Sequence, residues 1–197
     1  MRRLGVPGAV VALGLFLVAL SASPASATVL CKTAGNPCTG GTYAKGTTIE
    51  ASINFTEVLH PPIADIECST STIKGEVTNS GGEGALVSGP VSAVSFSSCN
   101  ATVSVLKKGT FTIEHTSEGN GTLKIEGFET TVEFSGFHCI FSGATTFSLK
   151  GGAMASLATP SSLKRTGGRA GAFCGAEAAW TAEYTVTSPE PLFVEGA

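Results

Sequence analysis

Residues Gly109–Gly127 read GTFTIEHTSEGNGTLKIEG, and this stretch decides the fold class. Apolar residues alternate with polar ones on both sides of its centre, at Phe111, Ile113, Leu123 and Ile125. Alternation with a period of two is the pattern of a half-buried β-strand. The segment Glu118-Gly119-Asn120-Gly121 separates the two runs, and Asn-Gly favours a hairpin because both residues tolerate positive φ. The stretch therefore predicts an antiparallel hairpin with strands at Gly109–Thr116 and Thr122–Gly127.

Alternation of apolar and polar residues recurs elsewhere in the chain. It predicts further strands at Ile49–Phe55, Ile73–Val77, Phe128–Phe134, Thr145–Leu149, Trp180–Thr187 and Leu192–Val194. Clusters of Gly and Ser predict loops at Asn79–Gly84 and Thr166–Gly171, and the one helical candidate is the short segment Ala153–Ala158. Short strands separated by turn residues are typical of a β-sandwich or a barrel. We therefore predict an all-β fold, a single β-sandwich or barrel-like domain with disulfides.

The first 27 residues have the three zones of a secretory signal peptide. Two arginines form a basic start, an apolar run follows over 9–20, and Ala25-Ser26-Ala27 supplies the small residues that signal peptidase requires. The apolar run is too short to cross the ~30 Å hydrocarbon core of a bilayer. We therefore predict a signal peptide at 1–27 and a single all-β domain at 28–197. The mature protein is expected to be secreted or associated with the cell surface, and not embedded in the membrane.

Two special export routes compete with this prediction. Arg2-Arg3 is a pair that twin-arginine signals also carry, but it lies at the extreme N-terminus without the usual polar and apolar flanks. Twin-arginine export therefore stays open as the less favoured alternative. Lipidation of Cys31 would need a small residue before the cysteine, and Leu30 stands there instead, which excludes a lipoprotein.

The charge of the chain argues against polyanionic partners. The full sequence has 12 basic and 15 acidic residues. Loss of Arg2 and Arg3 with the signal peptide leaves 10 basic residues against 15 acidic ones, a net charge of −5. A mildly acidic domain without a basic stripe is not suited to nucleic acid or to anionic membrane surfaces. We expect an extracellular or cell-envelope ligand, whose identity the sequence does not give.

All six cysteines follow the signal peptide, at Cys31, Cys38, Cys68, Cys99, Cys139 and Cys174. An even number of cysteines in an exported chain predicts disulfides, here three of them. Six cysteines allow 15 connectivities, and sequence alone does not choose among them. Our preference is nearest-neighbour pairing, because the first pair would then close a tight Gly-Asn-Pro loop. Zinc is disfavoured, since no C-x-x-C pair is present.

Three segments resemble an uncharacterised family of exported bacterial proteins. They are Val29–Thr33, Leu106–Thr110 and Trp180–Pro189, which read VLCKT, LKKGT and WTAEYTVTSP. The resemblance covers most of the mature chain and implies a signal peptide, an early cysteine pair and a C-terminal strand of this kind. The family has no assigned activity, so the resemblance supports export and paired cysteines and adds no site residue.

The three histidines do not form a recognisable catalytic motif. His115 shares a predicted strand face with Phe111 and Ile113, which indicates a position at the edge of the core. His60 precedes two prolines and is expected on a loop, and His138 stands beside a cysteine, where a structural role is favoured. A nucleophile–base arrangement would need a second partner at a defined spacing. No G-x-S-x-G elbow or H-E-x-x-H motif supplies one.

Two glutamates are the best carboxylate pair for glycoside hydrolysis. Glu129 and Glu133 point to the same side of a predicted strand, whereas Phe128 and Val132 point to the other side. A solvated outer face explains this spacing more simply than an acid/base pair does. Asp65 is the only aspartate, and calcium loops require several. We therefore expect no metal and no cofactor.

The remaining candidates are an aromatic row and a basic cluster. Trp180 and Tyr184 share one strand face, a spacing that suits stacking on sugars but also describes a core strand. We favour the core. Lys164, Arg165 and Arg169 lie in a Gly-rich segment that is expected to be a solvated loop.

Three Asn-x-Thr triplets, at Asn54, Asn100 and Asn120, are formal acceptors for N-glycosylation. Such triplets are expected by chance in Thr-rich strands. Because the signal peptide has a bacterial character, we do not expect these asparagines to be modified.

These observations lead to two hypotheses about function. The favoured one is a non-enzymatic extracellular or cell-envelope domain that acts by binding, by adhesion or as a structural component. The alternative is a secreted hydrolase of carbohydrates or esters that uses Glu129, Glu133 or His115. A pocket where these side chains converge within about 5–10 Å would favour the hydrolase.

The export prediction can be checked by N-terminal sequencing of protein recovered from the medium or the cell envelope. We expect the mature chain to begin at Thr28, because Ala25-Ser26-Ala27 provides the small residues before the cut. An intact Met1, or an acyl group on Cys31, would contradict this prediction.

Overall fold

The computed structural model describes residues 27–62, 64–169 and 174–197. The predicted signal peptide, apart from Ala27, lies outside the described residues, so its cleavage stays a prediction.

The described ranges contain thirteen strands: β1 (Val29–Cys31), β2 (Thr48–Ile53), β3 (Glu57–His60), β4 (Ile66–Glu76), β5 (Asn79–Gly82), β6 (Ala85–Cys99), β7 (Thr102–Lys107), β8 (Thr110–Ser117), β9 (Asn120–Phe134), β10 (Phe137–Lys150), β11 (Ser156–Arg169), β12 (Glu177–Ser188) and β13 (Phe193–Glu195).

The long strands form a closed ring of antiparallel pairs. Strands β8 to β12 pair in sequence order, and β8 also pairs with β6, which pairs with β4. The ring closes because β12 pairs with both β2 and β3, and each of these pairs with β4. Strands β1 and β13 form a separate two-stranded sheet that contacts β5, β8 and β9. The all-β prediction is therefore confirmed. Of the two arrangements predicted from the sequence, the strands adopt the barrel-like one.

Alternation along each strand separates the interior from the surface. In β12 the residues Ala178, Trp180, Ala182, Tyr184 and Val186 are buried, and the residues between them are more exposed. On the outer face, one row of hydroxyl side chains crosses five neighbouring strands in register: Ser95, Thr72, Ser52, Thr185 and Ser156. The period-two pattern read from the sequence therefore corresponds to an apolar interior and a polar exterior.

Three disulfides fasten the ring and its flanking segments. Cys68–Cys99 joins directly opposed residues of β4 and β6, with a Cα–Cα distance of 4.0 Å. Cys139–Cys174 ties β10 to the segment before β12, and Cys31–Cys38 closes the loop after β1. These are the nearest-neighbour pairs preferred from the sequence, and no cysteine is left free. Three disulfides agree with folding in an oxidising compartment.

The central hairpin is present, but its turn is not at Asn120-Gly121. Ser117 pairs with Asn120, so the two-residue turn is Glu118-Gly119, with Gly119 at a φ of 73°. The amide of Asn120 braces this turn instead, since its Nδ2 donates to the Glu118 carbonyl and its Oδ1 accepts from Gly151 N. Strands predicted separately on either side of Gly127 form the single strand β9.

Three other local predictions were wrong because pairing overrode composition. Residues 79–82 form β5, so the predicted loop at Asn79–Gly84 is reduced to a turn at Glu83-Gly84. Strand β11 continues through 166–169, and the rest of the loop predicted at Thr166–Gly171 lies outside the described residues. The helical candidate Ala153–Ala158 is a turn followed by the start of β11. A neighbouring strand offers these Gly- and Ala-rich segments hydrogen bonds that composition does not reveal.

Gly75 on β4 marks a close approach inside the barrel. A Cβ atom at this position would lie 2.7 Å from Cε1 of Phe111, a buried core side chain. We expect Gly75→Ala to lower the free energy of unfolding by about 1–3 kcal/mol, because an added methyl group overpacks the core. Urea unfolding measures the effect. The control is Gly152→Ala, where the added atom would meet nothing closer than 3.5 Å. Equal stability losses in the two variants would contradict this account.

Candidate functional site

The wall of the barrel has a seam between β6 and β7, defined by residues 92–98 of β6 and Thr102–Lys107 of β7. Strand β7 pairs with β9 on one side, but no backbone pairing joins it to β6 among the described strands. Pairing resumes at the end of the seam nearest Val91. There Val91 N donates to the Gly109 carbonyl at 3.1 Å, and the preceding residues of β6 pair with β8. The ammonium group of Lys108, which follows β7, donates a hydrogen bond of 2.8 Å to the Ser92 carbonyl on β6. The two sides of the seam are therefore joined more weakly than other neighbouring strands.

A partly open cavity of about 30 Å³ lies beneath the seam. Its outer part is lined by the half-buried side chains of Phe96 on β6 and Val103 on β7. Its inner part is lined by buried groups that include Leu59, Phe128 and Trp180. The lining that the described residues provide is almost entirely apolar, with one charged group, the carboxylate of Glu57. A buried ionisable group in an apolar cavity is a candidate functional site.

Glu57 points inward because it begins β3, in which Glu57 and Leu59 share the buried face. Its side chain is only 3 % exposed. Oε2 accepts a hydrogen bond of 2.6 Å from the Tyr184 hydroxyl, which lies 3.0 Å from Oγ of Ser71. Oε1 is buried and has no hydrogen-bond partner among the residues that the structure describes. A buried acceptor without a partner is costly, so this oxygen requires an explanation.

Burial raises the pKa of Glu57 from 4.5 to about 7. Hydrogen bonding by Tyr184, by Ser71 and by the Trp180 indole lowers the pKa but only partly offsets desolvation. Ser71 and the Trp180 indole act on this pKa as nearby donors, but neither makes a full hydrogen bond to Oε1. Burial and the neighbouring Glu57 carboxylate raise the pKa of Tyr184 well above its ordinary value. Near neutral pH the site therefore holds a neutral phenol and a carboxyl that changes charge easily.

Another buried glutamate shows what a satisfied structural carboxylate looks like in this protein. Glu195 on β13 is 2 % exposed. Its Oε1 accepts from Gly35 N at 2.8 Å and from Gly119 N at 3.1 Å. It thereby fastens the first disulfide loop and the β8–β9 turn to the C-terminal strand. Glu57 has no such pair of backbone donors, so a bracing role accounts for Glu195 but not for Oε1 of Glu57.

Three aromatic rings lie against one another in the wall of the same cavity. Phe128 and Trp180 are stacked with centroids 5.7 Å apart. Phe96 meets both rings edge-on, at 6.4 Å from Phe128 and 6.2 Å from Trp180. The cavity therefore combines one carboxylate with an aromatic cluster, which we define as Phe96, Phe128 and Trp180.

The carboxylate pair predicted from the sequence lies on the outside of the barrel, away from this cavity. Glu129 pairs with Lys107 at 3.3 Å, and Glu133 lies 3.8 Å from the His138 imidazole. His115 is opposite Gly121, near the other end of β9 from Glu133. The structure therefore does not bring together the residues that the hydrolase hypothesis would have used.

His60 lies between a carboxylate and a hydroxyl group. Nδ1 of His60 lies 2.8 Å from Oδ1 of Asp65, and its Nε2 lies 3.4 Å from Oγ1 of Thr181. Acid, imidazole and hydroxyl follow one another as in the triads of acyl-transfer enzymes. The His60 and Asp65 side chains are, however, 41 % and 55 % exposed. Water therefore screens this arrangement, whereas such catalysis depends on a desolvated site.

The other sequence candidates have structural roles or lie on the surface. Trp180 and Tyr184 belong to the core, as favoured from the sequence. The basic cluster was placed wrongly in a loop, since Lys164, Arg165 and Arg169 all lie on β11. This segment is extended because β10 and β12 supply pairing partners on its two sides.

The amides of the three formal glycosylation acceptors are all engaged. Nδ2 of Asn54 lies 3.5 Å from Glu183, and Nδ2 of Asn100 donates to the Asp65 carbonyl at 2.9 Å. The amide of Asn120 braces the β8–β9 turn as described above. These contacts give each asparagine a structural role.

Comparisons with known proteins do not assign the site. The sequence matches no protein-family model, and neither a curated protein nor a solved structure is significantly similar to the chain. Within 27–62, 64–169 and 174–197, no group of His, Cys, Asp and Glu side chains is arranged to hold a metal ion. In those same ranges, no helix is long and apolar enough to cross a membrane. The function must therefore be inferred from the geometry of the chain itself.

Sequence reasoning missed Glu57, the residue at the centre of the site. The only available signal was its spacing of two from Leu59, which places both side chains on one face of a strand. A four-residue strand next to two prolines is too short for this pattern to stand out. Burial of Glu57 follows from the pairing of β3 with β4 and β12.

The raised pKa of Glu57 predicts a specific dependence of stability on pH. Between about pH 4.5 and 7 the unfolded chain loses this proton while the folded protein keeps it. The free energy of unfolding therefore falls as pH rises through this window, by roughly 3 kcal/mol at about 1.4 kcal/mol per pKa unit. Urea unfolding from pH 4.5 to 8 should show a fall in the wild type that Glu57→Gln removes.

Tyr184→Phe provides the companion measurement. Loss of the hydroxyl removes a hydrogen bond that lowers the pKa of Glu57. The window in which stability falls should therefore extend to higher pH in this variant than in the wild type. Identical pH profiles for the wild type and Glu57→Gln would show that Glu57 titrates normally.

Proposed function

We propose that this protein is an exported, non-enzymatic binding domain that takes a small, mainly apolar ligand through the seam into the cavity beneath it. One observation carries the proposal: the apolar cavity at the seam contains a buried carboxylate oxygen without a partner. Binding sites of small molecules are typically apolar recesses with a few polar groups that fix orientation. The cavity has this composition.

Export is supported by two independent features. Three disulfides fit an oxidising environment outside the cytoplasm. The N-terminal sequence has the zones of a signal peptide. A secreted or cell-surface location would place the seam in contact with extracellular or cell-envelope molecules. The acidic net charge disfavours nucleic acid as the partner.

The seam can widen at lower cost than any fully paired part of the wall. A cavity of about 30 Å³ has room for about two water-sized groups, so a larger ligand must move the walls apart. Separating two paired strands would break ladder hydrogen bonds, each worth about 0.5–1.5 kcal/mol. Separating β6 from β7 breaks no ladder bond and displaces mainly Phe96 and Val103.

An exported hydrolase of esters is the second candidate, because Asp65, His60 and Thr181 are hydrogen-bonded in the order of a triad. Two features make it the weaker candidate. The imidazole and the carboxylate are solvent-exposed, and the secondary hydroxyl of Thr181 also donates to the Val58 carbonyl. We therefore favour binding at the seam.

Trp180 is the only tryptophan of the chain and lines the cavity, so its fluorescence reports directly on occupancy. Titration with 1-hexanol should shift the emission in a saturable way. Val103→Phe fills the mouth of the cavity and should weaken binding by about tenfold or more, equivalent to about 1.4 kcal/mol. The control is Val94→Phe, the same change on β6 at a half-buried residue outside the cavity lining.

Two results would contradict the binding proposal. One is an emission that does not change, or that changes equally in both Val→Phe variants. The other is turnover of p-nitrophenyl esters by the wild type that is lost in His60→Gln and in Thr181→Ala, which would establish the hydrolase instead.

A further inference from the structure

We infer that the ligand of the seam cavity is a small alkylammonium ion, whose cationic head lies between the Glu57 carboxylate and the aromatic cluster. This inference rests on the proposed function and names the chemical class of the ligand. It is carried by three observations: the unpartnered carboxylate oxygen, the lack of a cation in the lining, and the aromatic rings beside it.

The charge of the cavity calls for a cation or a hydrogen-bond donor. Among the described residues of the lining, Glu57 is the only charged one, and no lysine, arginine or histidine balances it. Two other side chains of the lining can hydrogen-bond. Thr130 already donates to the Ser104 carbonyl at 3.0 Å, and the Trp180 indole lies near Glu57 without making a full hydrogen bond to Oε1. A purely apolar ligand would leave Oε1 of Glu57 unsatisfied, and an anion would be repelled. An ammonium N–H donor supplies both the charge and the missing hydrogen bond.

The aromatic cluster favours the same kind of ligand. Aromatic rings attract a cation that lies within about 6 Å of the centroid, and tryptophan does so most strongly. Phe96, Phe128 and Trp180 have mutual centroid distances of 5.7–6.4 Å and all line the cavity. A cation beside Glu57 would thus contact aromatic rings that stabilise positive charge. A neutral alcohol would not gain this attraction.

The size of the cavity restricts the head group. Room for about two water-sized groups fits a primary or monomethylated ammonium, whereas a quaternary head would require a wider opening. The alkyl chain of the ligand would then lie in the seam, between Phe96 and Val103.

The test compares n-butylammonium with 1-butanol, its neutral isostere, by Trp180 fluorescence and calorimetry at pH 8. Butylammonium should bind the wild type at least about tenfold more tightly than butanol. Glu57→Gln keeps the shape of the side chain but removes its charge, and should reduce the preference for butylammonium at least about fivefold, with only the contribution of the aromatic cluster remaining. The control Glu67→Gln, on the exposed face of β4, should leave the preference unchanged. Tetramethylammonium should bind more weakly than butylammonium because its head is larger.

A pH series on the wild type keeps the inference testable if Glu57→Gln does not fold. The titratable group that faces Glu57 is Tyr184, which stays neutral in this range. Butylammonium affinity should therefore rise from pH 5 to pH 8 as Glu57 ionises, while butanol affinity should not rise.

The outcomes separate the inference from the proposed function. Equal binding of butanol and butylammonium by the wild type would overturn the ammonium inference and leave the binding function intact. A preference for butylammonium that is undiminished in folded Glu57→Gln would also overturn it. If neither compound binds, and 1-hexanol does not bind either, the binding function falls and the inference falls with it.

Discussion

The pairing of β12 with β2 and β3 is the constraint on which the rest of the structure depends. It joins the last long strand to the first ones, and both β2 and β3 pair with β4, so the ladder returns to its start. Closure satisfies backbone groups that an open sheet would leave at its edges. It also gives every strand one inner and one outer face, which buries Tyr184 and Phe147 while Glu129 and Glu133 face outward.

The seam stands out against this closed ladder. Neighbouring long strands are hydrogen-bonded around the ring, but β6 and β7 approach each other without pairing. The same region contains Glu57, whose buried Oε1 has no hydrogen-bond partner within the described part of the chain. Glu195 is equally buried and is held by two backbone donors, so the chain does supply partners where a carboxylate has only a structural role. An unpaired wall and an unsatisfied acceptor at one place are the observations behind the proposed binding site.

The closed fold also explains why the residues that looked most chemical in the sequence are scattered. Polar side chains of alternating strands project outward from a convex surface, where they diverge. Glu133 faces outward at one end of β9, whereas His115 lies beside the other end, on the strand face that carries Phe111 and Ile113. The one acid–imidazole–hydroxyl series, at His60, forms where β3, β12 and the segment leading into β4 meet. It remains on the solvent side of the wall.

The sequence by itself determined the all-β class, the number of disulfides and the polarity of the strand faces that it predicted, because period-two alternation and cysteine number are local or countable properties. The turn at Glu118-Gly119, the pairing of 79–82 and the extension of β11 were decided by tertiary structure, since hydrogen bonds from neighbouring strands outweigh the preferences of Gly and Ser. The site was decided there too. Glu57 lies 14 residues from Ser71 and 127 from Tyr184 in the chain, and only closure of the barrel places them in contact and removes the carboxyl from water.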